Sequence, residues 1–238
     1  MPVRNKVKAA LLFCALVINT FFTSLVSAQS PHKGISDWSL EKDDDGIAIF
    51  SRAIEGSKFR EFKATMTIDT TIDAIIAVFQ DPNSFTQWVH QCSQAEVIEQ
   101  PSFLEIYVYQ VSDMPLLVSD RDVVIKDLYS YTNDYKEWTI EVSAMEGMVP
   151  ITDMVRIMDS HGVYKLKENS EGKVDLIWYQ HADPAGALPS WLVNTLIVDL
   201  PFNTLSNLRE LSMQDKYRTS KIGYNDQGIP DHWAVKNF

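Results

Sequence analysis

The chain has 238 residues, 45% of them apolar and 22% charged, and a net charge of −11. This composition excludes a disordered chain and supplies enough apolar material for a sizeable core. The acidic balance argues against nucleic acid, whose phosphates want a basic face, and against tight electrostatic docking on anionic membranes.

The N-terminus stands apart. Arg4, Lys6 and Lys8 precede the apolar run Ala9 to Ile18, and SLVSA closes at Ala28 with small residues where a signal peptidase needs them. Residues 1–28 thus read as a secretory signal peptide cleaved after Ala28, which makes the protein exported, either periplasmic or secreted. The alternative is an uncleaved anchor, since Ala9 to Ala28 nearly spans a bilayer; Asn19, Thr20, Thr23 and Ser24 weigh against it. Loss of the three cations takes the charge from −11 to about −14. Cys92 is then the single cysteine, so no intramolecular disulfide is available.

Residues 29–36 form a polar linker, and folded sequence starts at Trp38. KDDDGI (42–47) reads as a turn and IAIFSR as the first strand. In REFKATMTID (60–69), Phe62, Ala64, Met66 and Ile68 alternate with polar residues, the pattern of a half-buried strand. TTIDAIIAVFQDP switches to helical period at Ile72, Ile75, Ile76 and Phe79. Thr70 with Asp73 resembles a capping box, and Asp81-Pro82 stops this amphipathic helix. Phe85 and Trp88 belong to a second short helix.

Strands follow in succession: AEVIEQ, FLEIYVYQV, DVVIKDLYSY, KEWTIEVSA, two within MVRIMDSHGVYKLKE around Ser160-His161-Gly162, and GKVDLIWYQHAD. Short connections favour an antiparallel meander. The last helix lies in DPAGALPSWLVNTLIVDLPFNTLSNLRE (183–210), with Ser190 as N-cap. Trp191 to Leu200 is apolar almost all round, Pro201 should kink or break the helix, and Phe202, Leu205 and Leu208 form a narrower stripe beyond it. The fold class is therefore α+β: one curved antiparallel sheet with a long helix across it. Residues 37–222 form this domain; 223–238 are a turn-rich tail with no assigned structure.

The five histidines make no metal-binding spacing, and no nucleotide loop or hydrolase motif occurs, so no metal and no cofactor are expected. Cys92 reads as a buried, inert thiol rather than a nucleophile. His181 and Asp183 would point the same way from a strand, a possible acid–base pair. FLEIYVYQV is apolar on both faces, with Leu104, Ile106 and Val108 opposite Tyr107, Tyr109 and Val111. Such a strand fits either a sheet packed on both sides or the wall of a ligand cavity with sparse polar handles. Met114-Pro115-Leu116-Leu117 is an unusually apolar loop. Arg121 shares a face with Val123 and Ile125 and must be paired, either for structure or to hold a head group.

The opening W…DGI…R (Trp38, Asp45, Gly46, Ile47, Arg52), the SDRD step (Ser119 to Asp122), Pro150 with Val155-Arg156, and DPAGALPSWLVN (Asp183 to Asn194) together resemble the START domain family, lipid-transfer domains related to steroidogenic acute regulatory protein. The resemblance covers roughly Trp38 to Lys221 and implies a helix-grip fold with an internal hydrophobic tunnel. It implies a non-enzymatic protein that binds one phospholipid, fatty acid or sterol-like lipid and contacts membranes transiently; a monomer is a separate expectation. The gate would be the C-terminal helix and the 113–118 loop. Arg121 would match a tunnel arginine, with Glu105 the nearest candidate for an acidic partner. Expected ligand-binding residues are Phe62, Met66, Trp88, Tyr107, Tyr109, Met114, Leu116, Arg121, Trp178, His181, Trp191, Leu192, Leu196 and Leu200. Two rivals remain: a hydrolase or cyclase on the same scaffold using His181 and Asp183, and an interaction module with a filled core.

Overall fold

The computed structural model describes residues 32–115 and 117–235. The signal-peptide reading of 1–28 and the expected role of Leu116 lie outside these residues, and the side chains of Ser190, Trp191 and Asn194 are likewise not described. Folded structure begins near Trp38 as expected, but a strand precedes the one expected to be first. β1 (Ser39–Asp44) pairs antiparallel with β2 (Ile47–Ala53) across Asp45-Gly46, both with positive φ as a tight hairpin turn requires. β1 is an edge strand with mostly exposed side chains, so it carries no apolar alternation to reveal it.

β3 (Arg60–Ile68) buries Phe62, Ala64, Met66 and Ile68 as its alternation demands. α1 (Ile72–Gln80) is capped by Thr71, whose hydroxyl accepts from the Ala74 amide at 3.2 Å, and not by Thr70. Every α1 residue except Asp73 is buried, so the expected single apolar face was too narrow. The cause is the chain's end. α4 (Asp215–Arg218) and the hairpin of β11 (Ser220–Tyr224) and β12 (Pro230–Val235) pack over the side of α1 away from the sheet. The residues read as a tail are thus largely a hairpin. A turn at Pro82–Ser84 leads into α2 (Phe85–Trp88), as expected.

The remaining strands are β4 (Cys92–Ser102), β5 (Glu105–Ser112), β6 (Arg121–Tyr131), β7 (Glu137–Ala144), β8 (Val155–Arg156), β9 (Asp159–Glu168) and β10 (Val174–Asp183). They complete a ten-stranded sheet in the order β1-β2-β3-β10-β9-β7-β6-β5-β4, antiparallel except for β8, which adds parallel to β6. Pairing of β3 with β10 joins the two ends of the meander. Ser160-His161-Gly162 is not a turn; it lies inside β9, opposite Gln180 to Ala182. Gly162 is there for space, since a Cβ would stand 1.9 Å from the Gln180 side-chain oxygen.

α3 (Ser190–Ser212) is one unbroken helix, its N-cap is Pro189 rather than Ser190, and Pro201 does not divide it. A proline inside a helix costs about 3 kcal/mol. Leu205, Leu208 and Leu211 bury completely or nearly so on the following turns. At about 1.5–3 kcal/mol each, their burial exceeds that cost. The main core lies between α1, α2, α3 and the enclosing face of the curved sheet. A smaller cluster on the opposite face joins Tyr109, Val111 and Val124 to Met145, Met148, Val149 and Met154.

Candidate ligand cavity

Between α3 and the sheet lies a cavity of about 1250 Å³ of empty space, a figure that includes open solvent at its mouth. Strand alternation decides which side chains meet it. β5 contributes Gln110 and Ser112, β6 contributes Val123, Ile125 and Asp127, and β10 contributes Trp178, Gln180 and Ala182. From α3, Val193, Leu196, Ile197, Leu200 and Thr204 face it at i, i+3, i+4, i+7 and i+11. Its inner wall is an aromatic relay. Trp88 meets Phe79 at 4.7 Å, Phe79 meets Tyr164 at 5.0 Å, Tyr164 stacks on Trp178 at 4.7 Å, and Trp178 meets Phe62 edge-on at 4.7 Å. Such pairs fix one another's orientation and hold an apolar wall rigid.

Polar groups in the wall are sparse and mostly engaged. Gln180 donates to Ser160 at 2.7 Å and accepts from the Trp178 indole at 3.3 Å. Asp127 differs: it is 4% exposed, and burial pushes its carboxyl pKa up to about 7. The mouth carries Met114 and Ile157, with Leu117, Ile151 and Met158 exposed on the neighbouring segments. These segments are tied together, because the amides of Val155 and Ile157 donate to the carbonyls of Asp120 and Asp122.

Of the expected ligand-binding residues, Phe62, Trp88, Met114, Trp178, Leu196 and Leu200 line the cavity. Met66 and Leu192 do not; they are buried away from it. Tyr107 and Tyr109 were assigned to the wrong face of β5. Tyr107 donates to Glu105 at 2.6 Å, and Tyr109 donates to Asp122 at 3.0 Å, both on the opposite side of the sheet. Arg121 is not in the wall either. Its guanidinium donates to the backbone carbonyls of Pro184, Ser119 and Ala185, which fastens the loop before β6 to the turn that feeds α3. Burial pulls its pKa down, and those three carbonyls, not an acid, satisfy it. Glu105 pairs with Lys126 at 2.8 Å on the other face and so does not meet Arg121. His181 is also elsewhere. Its Nε2 lies 2.9 Å from the Ser57 hydroxyl, and its ring lies 5.2 Å from that of His32. Asp183 accepts from the Ala185 amide at 2.9 Å, so no His181–Asp183 pair forms.

Cavity residues that the sequence reading missed include Gln110, Val123, Ile125, Asp127, Tyr164 and Gln180. For Asp127 the signal was present, since it shares strand parity with Val123 and Ile125. On the opposite face of β6, Asp122 accepts from Tyr109, from Thr152 at 2.8 Å and bidentately from Arg156 at 2.7 and 2.8 Å. Arg156 first, with Thr152 and Tyr109, holds its carboxyl below the usual range despite burial. The Cys92 thiol is buried and pushed up to about 11, which makes it a poor nucleophile. Among the described residues, no group of His, Cys, Asp and Glu is arranged to hold a metal.

A curved antiparallel sheet closed by a long C-terminal helix over an apolar cavity defines the helix-grip class. The START domain model matches residues 37–212, and the chain belongs to that family. A crystal structure of a STAR-related lipid transfer protein fragment from Xanthomonas axonopodis aligns with a TM-score of 0.68 and 34% identity, over 75% of this chain and all of that one. An uncharacterized protein of Pseudomonas aeruginosa is 29% identical over 73% of this chain and 85% of its own length. Human phosphatidylcholine transfer protein is 24% identical over 73% of this chain and 83% of its own length.

Proposed function

We propose that this protein binds one lipid in the cavity beneath α3 and carries it through an aqueous compartment outside the cytoplasm. The observation that carries the reading is the cavity itself: a void enclosed by apolar and aromatic side chains, opening beside exposed Leu117, Ile151 and Met158. Removing apolar surface from water is worth roughly 25 cal/mol per Å², so enclosing on the order of 400 Å² of an acyl or polycyclic body supplies about 10 kcal/mol before the entropy of association is subtracted. Phospholipid, fatty acid and sterol-like ligands all meet that condition. Entry requires the 113–118 loop and the first half of α3 to part, and the Arg121 contacts to Ser119, Pro184 and Ala185 tie the segment after that loop to the turn before α3. The exposed apolar side chains at the mouth give a membrane something to contact, and residues 1–28 supply the export signal. The acid–base alternative loses its motive because His181 and Asp183 have other partners, and a filled interaction module does not account for the void.

Native mass spectrometry of the mature protein, purified without detergent, tests the reading. One lipid-sized adduct per chain is expected, released on denaturation. A bare protein that also takes up nothing from lipid vesicles would refute it.

A further inference from the structure

The four ionisable residues of the cavity wall are Arg60, His90, Asp127 and Tyr164. Arg60 is exposed and spoken for: it donates to Ser51 at 2.8 Å and lies 3.9 Å from Glu41. His90 is half-buried beside α3, its amide donating to Thr204. Asp127 and Tyr164 are the buried ones, no hydrogen bond reaches either side chain among the described residues, and of the two Asp127 alone carries a carboxyl. Its neighbours across the sheet are Ile106 on β5 and Val142 on β7, both apolar. No hydrogen bond or ion pair reaches its carboxyl among the described residues. The phenols of Tyr129 and Tyr164 register its charge, raised first by their own burial and then by Asp127. A buried polar group without a partner is costly, and native proteins keep few. A carboxyl placed in an apolar cavity wall with open space before it is such a group, and a ligand is what would satisfy it.

We propose that Asp127 is the polar anchor of the cavity, and that it selects an amphiphile whose buried end carries a hydrogen-bond donor, a hydroxyl or an amine, over one ending in phosphate or carboxylate. This rests on the lipid-binding reading and narrows it. An ionised carboxyl accepts from either donor, and a protonated one both accepts from and donates to a hydroxyl. An anionic head would face a like charge or force Asp127 to stay protonated. A plain hydrocarbon tail there leaves the carboxyl unsatisfied. Arg60 does not offset this, because it is already engaged with Ser51 and Glu41.

Trp88 and Trp178 line the cavity and report occupancy by their fluorescence. Titration of the purified protein with dodecanol, dodecylamine, laurate and dodecyl phosphate, below their micelle concentrations, tests the inference at pH 8. The two donor-bearing probes are expected to bind at least about tenfold tighter than the two anionic-headed ones, the yield of one hydrogen bond to a charged group. Asp127→Asn should weaken dodecylamine about tenfold and strengthen laurate. Asp127→Leu should leave the probes nearly equal. The Asn variant keeps the side chain's size and carries the test alone if the Leu variant misfolds. The same order and spacing of affinities in the wild type and Asp127→Asn would overturn the inference while leaving lipid binding intact. Dodecyl phosphate as the tightest ligand of the wild type would do the same. Failure of every probe on every protein overturns both readings.

Discussion

The two halves of α3 differ in what stands beside them. From Pro201 to Ser212 the helix is anchored: Leu205 and Leu208 are fully buried, Asn207 donates to the Trp88 carbonyl, and Arg209 donates to the Asp45 carbonyl at 2.7 Å. From Val193 to Leu200 the residues are just as apolar, yet most are only half-buried, because one side faces the cavity. Hydrophobic sequence is thus used in two ways within one helix. Packed, it holds the element down. Unpacked, it offers a surface to something that is not part of the chain. Pro201 stands at the junction, where loss of the bond to the Ile197 carbonyl costs the cavity-side half some of its continuity.

The largest test of this contrast is a pair of truncations. Leu205→Ala should cost about 2–5 kcal/mol, while Leu196→Ala, which already faces empty space, should cost under about 1 kcal/mol. Equal losses by chemical denaturation would erase the distinction. Pro201→Ala restores a helical amide and should raise stability by up to about 3 kcal/mol while slowing lipid exchange between vesicles. Higher stability with unchanged exchange would make the proline incidental to gating.

Much of this architecture was legible. The alternation in β3, the helical period of Ile72 to Phe79 and the apolar run of α3 all reflect one-sided or complete burial, which periodicity records. Motif order was enough to indicate the family. The choice of cavity-facing residues was harder, and β5 shows why. Its outer face is apolar too, because Met145, Met148, Val149 and Met154 cover Tyr109, Val111 and Val124. A strand covered on both sides does not announce which side is hollow, so Tyr107 and Tyr109 looked better than Gln110 and Ser112. Arg121 was placed on the correct face, but at the strand end its long side chain turns to backbone carbonyls. Thr71 and Pro189 show the ordinary limit at helix starts, where adjacent residues compete for the cap.

The central claim is that the void beneath α3 is where lipid travels. Ile125 on the sheet and Leu196 on the helix both face it. The double variant Ile125→Trp/Leu196→Trp fills the space from both sides. Transfer of a fluorescent lipid with a hydroxyl or amine head between donor and acceptor vesicles is the direct readout, with thermal melting as the control for folding. The account predicts that the wild type accelerates transfer and that the filled, still-folded variant falls to the spontaneous rate. Transfer at the wild-type rate by the filled protein would contradict it.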